Sequence, residues 1–294
     1  MKNFQKWKSK KIIFIISDPG SANIILSIIK KFKLKRINFF FTNHNIKKYF
    51  TNFKNKFLEI NSLKTLTKKN YFDLGVIGTG YPPKYIHLAN YLKNYKIFTV
   101  AILDHWLNFL RRFKKNKSLF KPDIILITHK INYRLDNFFK DIKIFNVKNY
   151  YLEEKIREIK KIKKAKYDCC YINDPASYII NVKVRKKLIV DSMESFISFI
   201  KNRRITKVLI RPHPKDDLFS FKNMIKKIVK YKEYEESNLV ISKSTNISED
   251  IGSSDSIFGM RSFGLFIALK AKKNVYSFEK NKFVFKKKYL NNII

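Results

Sequence analysis

Ile12-Ile13-Phe14-Ile15-Ile16 is apolar at every position and stops at Ser17-Asp18-Pro19. Ile124-Ile125-Leu126-Ile127 repeats the pattern and stops at Thr128. A strand with no polar face must be covered on both sides, which is the situation of parallel strands with helices on either face. Such runs recur at 12–17, 37–42, 57–60, 74–77, 97–103, 124–128 and 142–147, and helical stretches lie among them at 23–33, 46–53, 84–94 and 132–139. Strands and helices taking turns define a layered α/β sheet.

A charged helix at 151–166 follows, with Glu153, Glu154 and Glu158 near its start and lysines near its end, a polarity that suits the helix dipole. The pattern then restarts, with strands at 169–172, 207–210, 239–242, 256–258 and 275–278 and helices at 184–202, 221–231, 247–253 and 263–272. We therefore expect two Rossmann-like α/β domains facing across a cleft, at 1–166 and 167–278, followed by a basic tail at 279–294.

Composition narrows the class. The chain is 45% hydrophobic and 15% aromatic, enough to bury a core. Its formal charge is +40, which on its own points to nucleic acid, but Arg supplies only 10 of the 63 cations. Readers of phosphate and bases favour the planar guanidinium. A chain rich in Lys, Ile, Asn, Phe and Tyr and holding 7 Gly reads as the product of an AT-rich genome. The two cysteines, Cys169 and Cys170, are adjacent and point to opposite faces of a strand, which excludes a disulfide scaffold or a cysteine zinc cage and suits a reducing cytosol. The apolar run after the basic amino terminus is too short for a signal peptide. No stretch approaches the ~18 apolar residues of a membrane span.

Ligands of open α/β sheets bind beyond the carboxyl ends of the strands, so the chemistry is sought there. After the first strand comes Asp18-Pro19-Gly20-Ser21-Ala22-Asn23, and after the fourth apolar run Gly78-Thr79-Gly80. Asp18, Gly20, Ser21 and Gly80 are candidate substrate contacts, because glycines admit a ligand to the backbone and a helix start holds anions or hydroxyls. The GxGxxG spacing of dinucleotide sites is absent. An ordinary tight turn with Ser21 or Asn23 as helix cap looks much the same.

Asp104-His105-Trp106, followed by Arg111, Arg112 and Phe113, is the densest set of reactive side chains. Asp104 or His105 is the candidate general base; in the structural alternative Asp104 caps a helix and Trp106 and Phe113 are core. In the second half a strand ends in Arg211-Pro212-His213-Pro214-Lys215, three cationic or hydrogen-bonding groups on a turn stiffened by prolines and suited to a diphosphate. Gly259-Met260-Arg261-Ser262 then leads into a helix whose start can take phosphate oxygens. Arg211, His213, Lys215, Gly259, Arg261 and Ser262 are the candidate nucleotide contacts. No metal site is expected.

The segment 167–278 resembles the nucleotide-sugar domain of GT-B glycosyltransferases, in particular bacterial sialyltransferases and capsular polysaccharide transferases with a His-Pro motif. The resemblance rests on Arg211-Pro212-His213-Pro214, on Ser254-Asp255 before Ile257-Phe258-Gly259, and on Ser262. It implies that His213 and Ser262 contact the donor phosphate. Where those families often carry a Glu-Ala pair, this chain reads Phe266-Ile267-Ala268-Leu269, so another group holds the ribose or the donor differs.

The leading expectation is a glycosyltransferase of surface-polysaccharide synthesis. It would take a nucleotide sugar as donor substrate, a glycan or lipid-linked acceptor and no separate cofactor, and would be cytoplasmic and able to meet an anionic membrane at its inner face. The alternatives are a nucleotide-sugar 2-epimerase of the same build and a non-catalytic basic nucleic-acid binder. Even scatter of the lysines argues against a specific nucleic-acid partner.

Overall fold

The structure, a computed structural model, describes residues 2–80, 83–104, 110–128, 139–176, 181–214, 216–260, 262–278 and 292–293. The chain divides into two compact units, Met1–Tyr151 and Leu152–Ile294.

In the first unit β1 (Ile12–Ile16), β2 (Ile37–Phe41), β3 (Leu74–Gly78) and β4 (Phe98–Leu103) are followed by a small hairpin, β5 (Lys114–Lys115) with β6 (Ser118–Leu119), and by β7 (Ile124–Ile127) and β8 (Lys143–Asn146). Six of these form a parallel sheet in the order β2-β1-β3-β4-β7-β8. The helices are α1 (Lys2–Gln5), α2 (Pro19–Phe32), α3 (Ile60–Lys68) and α4 (Ile86–Asn94). Alternate residues of β1 enter opposite cores. Ile12, Phe14 and Ile16 pack with Ile24 and Ile28 of α2, while Ile13 and Ile15 pack with Leu63 of α3 and Ala89 and Leu92 of α4. All five positions of β1 are buried, as a strand flanked by neighbours and covered on both faces requires.

Three local expectations are corrected. The strand expected at 57–60 is a single bridge, Phe57 with Phe39, because Glu59 caps α3 immediately afterwards. The helix expected from 23 begins at Pro19, with Asp18 as its cap rather than Ser21 or Asn23. The hairpin at Lys114–Leu119 was not expected. Most of the helix expected at 132–139 lies outside the described residues.

In the second unit α5 (Tyr150–Lys161) leads into β9 (Tyr167–Ile172), α6 (Val182–Asn202), β10 (Val208–Arg211), α7 (Leu218–Tyr231), β11 (Leu239–Ile241), α8 (Ile247–Gly252), β12 (Ser254–Gly259), α9 (Phe263–Lys270), β13 (Asn274–Ser277) and β14 (Asn292–Ile293). The sheet is parallel in the order β11-β10-β9-β12-β13-β14, which is the Rossmann order 3-2-1-4-5-6. The pattern restart puts the domain boundary at 166/167, whereas the compact units meet at 151/152. The body of α5 is anchored in the second unit, where Lys155 Nζ donates to Asn246 Oδ1 at 3.1 Å and Asn246 Nδ2 to Glu158 Oε2 at 3.1 Å. Cys169 and Tyr171 face the core made with Met193, Phe196 and Ile197 of α6 and Ile225 and Ile228 of α7. Cys169 and Cys170 are buried free thiols, and burial pushes Cys169 up to about 12.

Helix endings show how a glycine-poor chain turns. Leu34, Tyr71, Ile97, Ile205, Tyr234 and Lys273 each donate their backbone N–H to the carbonyl five residues earlier. The residue before each is left-handed: Lys33, Asn70, Lys96, Arg204, Glu233 and Lys272, with φ between 50° and 64°. This closure usually takes glycine, and a side chain there costs about 1–2 kcal/mol. Lys33→Gly and Lys272→Gly are each expected to raise stability by about 1 kcal/mol, read as a higher urea midpoint with an unchanged slope.

Candidate functional site

Strand register brings the first unit's polar loops together. Ile16 pairs with Gly78, and Gly78 with Ile102, so Ser17-Asp18, Thr79-Gly80 and Leu103-Asp104 leave the sheet side by side. The strand order reverses direction between β1 and β3, which is the switch point where such sheets hold ligands.

Asp18 caps α2: its Oδ1 accepts from Ser21 N at 3.0 Å, and Ser21 Oγ donates to Asp18 O at 3.1 Å. Its other oxygen lies against Gly80, where a Cβ would come within 2.1 Å. Asp104 likewise lies against Gly20, where a Cβ would sit 1.9 Å from Oδ2. The two glycines therefore make room for two carboxylates. Asp104 Oδ1 is 2.5 Å from Arg112 Nη1, which also donates to Thr79 O at 2.8 Å, and the two side chains are 12% and 8% exposed. Tyr85 Oη donates to Arg112 O.

Burial would lower the Arg112 pKa, but the Asp104 and Asp18 carboxylates raise it above its usual value. Burial pushes the Tyr85 phenol far up; Arg112 opposes this, and Asp18 and Asp104 add to it, so Tyr85 stays a neutral donor. The arrangement can hold Asp104 in one orientation as an acid or base.

In the second unit Ile172 pairs with both Arg211 and Gly259, so Asn173, Pro212-His213 and Met260 emerge together at the switch between β9 and β12. The His213 turn is closed by Asp216, whose Oδ2 accepts from His213 N at 2.6 Å and from Asn173 Nδ2 at 2.8 Å. Burial holds the Asp216 carboxyl above the usual range, against both hydrogen bonds. Asn173 Oδ1 is buried without a hydrogen-bond partner among the described residues. Gly259 is required because a Cβ there would lie 2.7 Å from Ile172 O. Ser262 caps α9, its Oγ accepting from Leu265 N at 3.3 Å.

Arg211 does not sit with this group. It pairs with Asp250 and donates to Ser244 O at 3.1 Å and Thr245 O at 3.4 Å, 8% exposed. As the last residue of β10 it turns under the β11–α8 loop, so its cation is committed to the fold. His105, Lys215 and Arg261, named from the sequence, lie outside the described residues.

Sequence reasoning passed over Asp216, Asn173, Tyr85 and the role of Arg112. The strand-end rule applied to 173 would have found Asn173, and an acid three residues after His213 is a turn-closing pattern. Among the described residues no group of three His, Cys, Asp or Glu could hold a metal ion.

These two sheets define the class: two Rossmann-like domains in the GT-B-like architecture. No family model matches the sequence, and no curated protein matches it. Among solved structures, the chain is similar to the UDP-GlcNAc 2-epimerase of Methanocaldococcus jannaschii in complex with UDP-GlcNAc and UDP, at 14% identity and TM-score 0.61, covering 92% of this chain and 84% of that one. It is also similar to the UDP-GlcNAc 2-epimerase of Neisseria meningitidis bound to UDP-GlcNAc, at 9% identity and TM-score 0.59, covering 92% and 82%. A third neighbour is HepE of Anabaena in complex with UDP, at 10% identity and TM-score 0.56, covering 91% and 80%.

Arg112→Ala leaves the Asp104 carboxylate without its guanidinium and is expected to cost about 3–5 kcal/mol in urea unfolding. A second expectation concerns pH. The folded pKa of Asp216 is raised, so the folded state holds the proton more tightly and this group's stabilisation is lost as pH climbs from about 4 through that raised value. Asp216→Asn should therefore gain stability relative to the parent between acid and neutral pH, measured by denaturant midpoints across the range.

Proposed function

We propose that the protein is an enzyme acting on a nucleotide sugar, with a UDP-activated 2-acetamido sugar as substrate and inversion at C2 as its reaction. The observation that carries this reading is the fold likeness, over 92% of the chain, to UDP-GlcNAc 2-epimerases in complex with UDP-GlcNAc. The strand-end groups of both units are of the kind that chemistry needs.

Inverting C2 means removing its proton from one face and returning one to the other. The electron pair left behind has to go somewhere. Expulsion of UDP from C1, taking the C1–O pair with it, gives an unsaturated sugar to which a proton and UDP add back. The nucleotide site must then release and recapture a diphosphate. We assign the diphosphate to His213 and the α9 start at Ser262, with Lys215 and Arg261 as neighbouring cations, because fixed donors stabilise charge that builds on a leaving group. We assign proton transfer to Asp104, oriented by Arg112, with Asp18 as its companion carboxylate and His105 as the alternative base. Gly20, Ser21 and Gly80 are proposed to line the sugar end.

The test is proton NMR of UDP-GlcNAc incubated with the protein in deuterated water. Deuterium at C2 and appearance of the C2 epimer without net loss of UDP are expected. UDP release that depends on an added glycan or lipid-linked acceptor, with no exchange at C2, would overturn the epimerase in favour of a transferase. His213→Ala should weaken UDP binding about tenfold or more, read as a smaller thermal shift with UDP.

A further inference from the structure

The most exposed large apolar side chain among the described residues is Phe219, 74% accessible, and its neighbour Leu218 is 53% accessible. They form the first turn of α7. The first turn of α6 exposes Val182 and Val184, at 50% and 53%. These two tips belong together. The helices follow adjacent parallel strands, share one core, and are tied at their far ends, where Lys201 Nζ donates to Lys232 O at 3.0 Å. At about 1.5 Å per residue, Leu218 lies as far back from Lys232 as Lys187 does from Lys201. By the same count Phe219 sits level with Leu188, one residue past Lys187, and α6 runs on about five residues beyond the start of α7.

Around the four apolar side chains the same turns carry Lys183, Arg185, Lys186, Lys187 and Lys222, against Asp217, which caps α7. Apolar side chains at a helix end, ringed by cations with aliphatic stems, match the boundary between acyl chains and anionic headgroups. The sign of the charge selects the occupant. A second copy would bring cations against cations, and three of the four apolar side chains, Val182, Val184 and Leu218, offer no face on which a base can stack. No described helix is long and apolar enough to cross a membrane, so a contact here is an insertion of side chains.

We propose that the paired tips of α6 and α7 dock the protein on an anionic membrane surface, with Phe219 and Leu218 entering the acyl boundary. The even scatter of lysine makes weak adsorption through other faces expected as well, so the test must report place. Tryptophan is introduced in two variants of a chain whose own Trp7 and Trp106 are replaced by Phe, Phe219→Trp at the tip and Tyr231→Trp at the opposite end of α7, where Tyr231 is 72% exposed. Each full-length protein is mixed with vesicles of phosphatidylcholine plus phosphatidylglycerol containing brominated chains.

Blue shift and strong quenching at position 219, with none at 231, are expected. Phe219→Ser should reduce flotation with these vesicles, and Lys186→Gln with Lys187→Gln should lower the partition on the order of tenfold. Vesicles of phosphatidylcholine alone should bind little. Equal quenching at both positions would overturn the proposal, leaving general adsorption. So would a shift at 219 seen only with duplex DNA or only on self-association at high protein concentration. No arm depends on turnover, so failure here is separate from failure of the epimerase reading.

Discussion

Because β1 and β9 are flanked by paired parallel strands and covered by helices on both faces, neither can slip by one residue without turning its apolar side chains to the wrong core. That register sets Ile16 opposite Gly78 and Ile172 opposite Gly259. The loops beyond those residues then have no choice about where they begin. Asp18 meets Gly80, and Asn173 meets the His213 turn, as a result of hydrophobic packing several residues away. The polar ends of the sheets are positioned by the apolar middles.

Each unit also buries one arginine with one aspartate, and the two pairs do different things. Arg211 with Asp250 closes inward: the aspartate also accepts from Ser242, and the guanidinium takes the carbonyls of Ser244 and Thr245. The bonds of that guanidinium thus go to α8 and to the loop before it. Arg112 instead joins two strand ends, Asp104 after β4 and Thr79 after β3, and leaves Asp104 Oδ2 against the open side of Gly20. A buried charge without its partner is costly, so both pairs stabilise their surroundings. The second does so while fixing the direction of a carboxylate.

The fold was legible because buried parallel strands leave uninterrupted apolar runs, and nearly every run became a strand. The exception is instructive. At 57–60 only Phe57 and Leu58 precede Glu59, and a stretch that short cannot outcompete the helix that Glu59 starts. The candidate loops were legible too, since Asp18, Gly80, Asp104, His213 and Ser262 directly follow strands. What the sequence could not convey was which cation turns inward. Arg211 and Arg112 look alike on paper, and their fates depend on Asp250 and Asp104, partners separated from them by 39 and 8 residues. Asp216 was hidden for the opposite reason, because an acid beside a basic motif reads as surface until its burial is known.

None of the seven glycines has a positive φ. At every one an added Cβ would fall within 2.9 Å of another atom. At helix ends, where glycine usually takes the left-handed turn, this chain places lysine, asparagine, arginine or glutamate. Glycine stands only where a methyl group has no room, and three of the seven crowd around Asp18, Asp104 and Ser21. Gly20, Gly78 and Gly80 thus draw an outline around the carboxylates, at positions where even an alanine would collide with Asp104, Ser21 or Asp18.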